Sequence, residues 1–148
     1  MPYIRRAVVV YDPFVARGLD AMNYACYQDT RFMLVATPSG VTLAQVKERY
    51  AIPFDDYGIV IFHPVTSEAD TIGAQAASLF GRLEASGRHF VVIAPNNDPG
   101  TEDIFTVLDR LPKDRFRQIP SMRFNYFSEL MKNASAMIGN SSAGVREA

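Results

Sequence analysis

The chain has 148 residues, 48% hydrophobic and 21% charged, with 15 Lys and Arg against 16 Asp and Glu for a formal net charge of -1. That length supports one domain with a real core, and so even a charge balance argues against tracking a nucleic-acid backbone. One cysteine, Cys26, and two histidines, His63 and His89, exclude an internal disulfide, a multi-cysteine zinc site and a histidine-rich metal cage.

Short apolar runs alternate with stretches of helical period. Residues 7–11 form the first run, followed by a helical stripe of Val15, Leu19, Met22 and Cys26, where the cysteine reads as a small buried hydrophobe. A second run, 32–36, leads into the turn cluster Thr37-Pro38-Ser39-Gly40. Thr42 then offers an N-cap, with Gln45 three positions on, to a helix carrying Leu43, Val46 and Tyr50. Runs 58–62, 90–94, 116–119 and 136–138 complete the strand candidates. The intervening helices carry Ile72, Ala76, Leu79 and Leu83; then Ile104, Val107 and Leu108, halted by Pro112; then Phe124, Phe127, Leu130 and Ala134. Most runs are continuously apolar rather than alternating, as in strands buried on both faces of a parallel sheet. The predicted fold is therefore α/β, a Rossmann-like parallel sheet with helices on both faces.

Such sheets bind ligands beyond the C-terminal ends of their strands. Four predicted strand ends open into polar loops: "HPVTSEADT", "PNNDPGTED", "PSMRFNY" and "GNSSAGVREA". In the last, glycines admit close backbone approach, Ser141 and Ser142 add hydroxyl donors, and a helix start favours an anion such as a diphosphate. Glu147, one turn further on, suits two adjacent hydroxyls; the alternative is a tight turn with a serine cap. His63, held extended by Pro64, is a candidate acid, base or phosphate partner, or else a hydrogen-bonded loop histidine. Asn96, Asn97 and Asp98 offer either a nucleotide-facing amide or a β-turn closed by Pro99-Gly100. Arg123 and Asn125 are weaker candidates, because Ser121 can simply cap the helix that follows. His89 opens its strand at the opposite end and is assigned no function.

Together, "FHPVTSE", "APNNDPGTEDI" and "IPSMRFNYFSELMKNASAMIGNSSAGVREA" resemble the hydrolysing UDP-N-acetylglucosamine 2-epimerases, including the enzymes of sialic acid synthesis. The resemblance begins at "TLAQVKERYAIP", spans about residues 42–148, and is most specific in "GNSSAGVRE". Residues 1–40 match far less well; their first strand and helix also resemble a receiver domain, but of that family's required acids only Asp12 fits. The epimerase resemblance implies the C-terminal half of a two-domain glycosyltransferase-B architecture, with the active site in the cleft between the halves. It implies UDP or UDP-N-acetylglucosamine as ligand, with Ser141 and Ser142 on the diphosphate, Glu147 on the ribose, Asn96 along the nucleotide, and His63 facing the diphosphate and reacting sugar. The family eliminates UDP across C1–C2 of the sugar and adds water to the resulting glycal, giving N-acetylmannosamine. No metal or redox cofactor is implied.

The family's N-terminal domain, with its glycine-rich loop and catalytic acids, has no counterpart in this sequence. The family also continues past "REA". The expectation is thus an incomplete nucleotide-binding half, active only with a complementing N-terminal domain. The alternatives are a stand-alone UDP or UDP-sugar binding module without chemistry, and a remnant that binds nothing. Unpaired sheet edges and an open cleft face favour a homo-oligomer. No apolar run reaches membrane-spanning length and no signal-peptide core opens the chain, so the expected location is the cytoplasm.

Overall fold

The computed structural model describes the backbone of residues 6–8 and all of residues 39–140. The predicted strand 32–36, the helix bearing Cys26, and Ser141, Ser142 and Glu147 lie outside the described residues. The elements are β1 (Arg6–Val8), α1 (Leu43–Tyr50), β2 (Gly58–Ile61), a 3-10 segment (Thr66–Thr71), α2 (Ile72–Ala85), β3 (Phe90–Ile93), α3 (Thr101–Leu108), β4 (Phe116–Ile119), α4 (Phe124–Asn133) and β5 (Ala136–Gly139).

Among the described residues five strands pair in parallel, in the order β1-β5-β2-β3-β4. Successive side chains of a strand point to opposite faces, so each apolar run supplies two cores. Ile59, Ile61, Val91, Ile119 and Met137 pack on one face with Val46 of α1 and Phe127, Leu130 and Met131 of α4. Val60, Phe62, Phe90, Val92 and Phe116 pack on the other with Ile72, Ala76, Leu79, Phe80 and Leu83 of α2 and Ile104 and Leu108 of α3. Each Val, Leu, Ile, Phe or Met side chain so buried contributes about 1.5–3 kcal/mol. The doubly wound sheet with helices on both faces is the predicted architecture.

Local sequence sets the element ends. Thr42 caps α1 in a capping box, its hydroxyl accepting from Gln45 N–H at 3.2 Å while Gln45 Oε1 accepts from Thr42 N–H at 2.9 Å. Ser121 does not cap α4: Arg123 occupies the N-cap without a side-chain bond, and its N–H donates to the Tyr50 hydroxyl at 3.3 Å. Where α4 turns into β5, the buried Tyr57 hydroxyl donates to the Leu130 carbonyl at 2.7 Å. Ser135 returns two bonds to the Tyr57 carbonyl, each 2.9 Å, fixing how β5 enters the sheet beside β2.

The order of connections decides where a ligand can sit. From β2 the chain steps outward through α2 to β3 and through α3 to β4; α4 then carries it back on the other face, and β5 is laid down on the far side of β2. The winding reverses between β2 and β5. In open α/β sheets such a reversal is where ligands bind, beyond the C-terminal ends of the two strands concerned, and that place is the candidate crevice here.

Candidate functional site

Residues following β2 and β3, together with Asn140 at the end of β5, meet at that point. Gly139 ends β5 opposite Ile61, the last residue of β2. Its φ is +142°, and a Cβ there would lie 1.7 Å from the Ile61 carbonyl oxygen. Only glycine lets the two strands stay paired to this point. The next residue, Asn140, continues the pairing with its side chain. Its Oδ1 accepts from His63 N–H at 2.8 Å, and its Nδ2 donates to the His63 carbonyl at 2.8 Å. A carboxamide carries one donor and one acceptor side by side, so it satisfies both backbone groups of one residue.

His63 is held from a third direction. The backbone N–H of Asn96, after β3, donates to His63 Nδ1 at 3.1 Å. An Nδ1 that accepts cannot carry the proton, so the neutral ring is the Nε2–H tautomer. His63 is half-buried, and desolvation pushes its pKa below the ordinary histidine value; the charge of Asp98 opposes this without overcoming it. Among the described residues, nothing accepts from Nε2. The ring therefore offers one free N–H donor at the crevice.

The "PNNDPG" turn is built to present that Asn96 N–H. The Asn96 side chain donates to Asp98 Oδ2 at 2.6 Å, and the buried Thr101 hydroxyl donates to the carbonyls of Asn96 and Asp98. Gly100 caps α3 with a φ of +97°, where a Cβ would lie 2.8 Å from Ile72 Cγ2. The sequence reading assigned Asn96 a side chain lying along a nucleotide. In the structure its amide nitrogen is bonded to Asp98, and its backbone meets His63. Asn140, inside the quoted motif but not singled out, is the residue that reading missed. Its signal was an amide following the glycine that ends the last strand run.

A concavity of about 520 Å³ beside this turn is walled in part by Asp98, Glu102, Asp103 and Phe105. Its carboxylates repel an anion, and Glu102 and Asp103 lie in the first turn of α3, where they already balance the helix dipole. The N-terminus of α3 is thus poorly suited to a diphosphate. Among the described residues no group of three or more His, Cys, Asp or Glu side chains could hold a metal ion, and no helix is long and apolar enough to cross a membrane.

Residues 28–148 match the family described as UDP-N-acetylglucosamine 2-epimerase, so the match begins ahead of Thr42. The chain is 48% identical over 115 residues to the UDP-N-acetylglucosamine 2-epimerase of Neisseria meningitidis serogroup B, covering 78% of this chain and 30% of that protein. It is 31% identical over 91 residues to the UDP-N,N'-diacetylbacillosamine 2-epimerase (hydrolyzing) of Legionella pneumophila, covering 61% of this chain and 24% of the relative. To the polysialic acid biosynthesis protein P7 of Escherichia coli it is 26% identical over 106 residues, 70% of this chain and 27% of the relative. The chain spans less than a third of the length of each of these proteins. The histidine, the "PNNDPG" turn and the Gly139-Asn140 strand end all fall within the matched residues, and the chain belongs to the UDP-N-acetylglucosamine 2-epimerase family.

Proposed function

We propose that this chain forms the UDP-binding part of a hydrolysing UDP-N-acetylglucosamine 2-epimerase, which converts UDP-N-acetylglucosamine to N-acetylmannosamine and UDP. The observation that carries the reading is His63, fixed as an Nε2–H donor where the winding of the sheet reverses and bonded through its backbone to Asn140, the residue before Ser141. In this reading the loop 139–147 takes the diphosphate through Ser141, Ser142 and backbone N–H groups, Glu147 takes the ribose hydroxyls, and Asn96 lies beside the nucleotide. In the elimination, a base removes the C2 proton as the C1–oxygen bond breaks and the electron pair leaves with UDP. Water then adds to the glycal. The His63 Nε2–H donates to a diphosphate oxygen, where negative charge grows as that bond breaks. A neutral imidazole donor suits this role at neutral pH.

The base and acid for C2 come, in this reading, from a complementing N-terminal domain. A stand-alone UDP-binding role is the second reading. It is favoured by one observation: Asp98, the carboxylate whose charge acts on His63, is already bonded to Asn96 Nδ2.

The test is an amide NMR titration with UDP and with uridine. Shifts at Gly139, Asn140, His63 and Asn96 on adding UDP are the expected result. Changing Ser141 and Ser142 to Ala should weaken UDP binding while sparing uridine. A well-dispersed spectrum indifferent to millimolar UDP, or equal loss of both ligands in the double variant, overturns the assignment.

A further inference from the structure

The crevice histidine is not held by its own strand. β2 pairs with β5 only as far as Ile61 and Gly139, and Phe62 separates Ile61 from His63. Beyond that point the parallel ladder is replaced by one side chain, with both Asn140 bonds going to the backbone of His63. A backbone clamped at N–H and carbonyl alike keeps its ring within reach of the Asn96 N–H, the bond that selects the tautomer. Asn140 is also the last residue before Ser141. A ligand bound by the residues that follow Asn140 would therefore reach the His63 backbone through one carboxamide.

We propose that Asn140 is a positioning residue: it holds His63 in the Nε2–H tautomer and couples occupancy of the following loop to that histidine. The proposal rests on the UDP-binding reading for its ligand, while its geometric part stands in the free protein. The required chemistry is narrow. Aspartate keeps the shape and the acceptor for His63 N–H but turns a second oxygen toward the His63 carbonyl, losing one bond and adding a repulsion. Alanine loses both. Neither change alters His63, Asn96 or the serines.

The experiment compares wild type with Asn140→Asp and Asn140→Ala, with and without UDP. It reads the His63 ring nitrogens by long-range proton–nitrogen NMR and the His63 amide by hydrogen exchange. Wild type should show an unprotonated Nδ1 and a protected His63 amide. Both variants should mix the two tautomers. Asn140→Ala should speed exchange of the His63 amide roughly fivefold to tenfold, the effect of one lost hydrogen bond. UDP should slow that exchange in wild type and fail to do so in Asn140→Ala. Should Asn140→Ala not fold, the isosteric Asn140→Asp carries the tautomer test, and exchange in wild type alone carries the clamp. Unchanged tautomer and exchange in a folded variant overturn the positioning role. A wild-type His63 indifferent to UDP while the variants still lose the tautomer overturns instead the UDP reading and the coupling built on it.

Discussion

Gly139→Ala is the substitution the fold should tolerate least. The added Cβ would stand 1.7 Å from the Ile61 carbonyl oxygen and 2.6 Å from its carbonyl carbon. Ordinary contact needs about 3.5 Å, so β5 and β2 would have to part by roughly 1.8 Å near this end. No rotamer relieves the clash, because the colliding atoms are backbone. Parting of that size breaks any N–H···O bond it crosses. The φ of +142° adds its own penalty for an L side chain. Overpacking at about 1–3 kcal/mol, backbone strain at about 1–3 and one or two ladder bonds at about 0.5–1.5 each sum to roughly 3–9 kcal/mol. Against a domain stability of about 5–15 kcal/mol, that brings the chain close to unfolding.

Gly40→Ala supplies the control. Its φ is +75°, yet a Cβ there meets nothing within 4 Å. It should cost only the left-handed penalty of about 1–2 kcal/mol. Equilibrium urea unfolding of both variants, at the same slope, isolates the strand collision. A Gly139→Ala cost within about 1 kcal/mol of Gly40→Ala would refute the close β5–β2 approach, and with it the reason Asn140 reaches His63.

Two further outcomes follow from the same geometry. Tyr57→Phe removes the hydroxyl bonded to Leu130 and should cost about 1–2 kcal/mol in the same assay; in the wild type burial, reinforced by Glu129, holds the phenol above its ordinary pKa, so in an alkaline spectrophotometric titration Tyr57 should ionise last or only on unfolding. His63 has a folded pKa below the 6.5 of the unfolded chain, so its contribution to stability is fully present above 6.5 and is lost as pH falls from there through the folded value. His63→Asn, whose Oδ1 can still accept from Asn96 N–H, should remove that part of the pH dependence from the stability curve while keeping the fold; an unchanged slope would show that His63 is not the group responsible.

How much of this the sequence discloses depends on range. Periodicity carried the sheet: runs such as Val60 to Phe62 and Phe90 to Val92 are apolar at every position because each residue faces one core or the other. Thr42 and Gln45 announced their capping box because all its partners lie within four residues. Ser121 misled for the complementary reason. At the start of α4 the N-cap is Arg123, and its N–H donates to the hydroxyl of Tyr50, 73 positions away. Strand order is likewise silent in the sequence, since β5 is the last strand described yet lies inside the sheet.

The site shows the same division more sharply. His63 stands out as a candidate from its own chemistry at a strand end. Its partners were not: Asn140 lies 77 positions away and acts on backbone, and Asn96, 33 positions away, contributes its own backbone N–H. Side-chain chemistry cannot announce a backbone donor, and an asparagine beside glycine and serine reads first as a turn former. What joins the three residues is the reversal of winding between β2 and β5, together with a glycine that lets those strands close. The function assigned to His63 is thus a property of the sheet order, and a test of Gly139 is indirectly a test of the histidine.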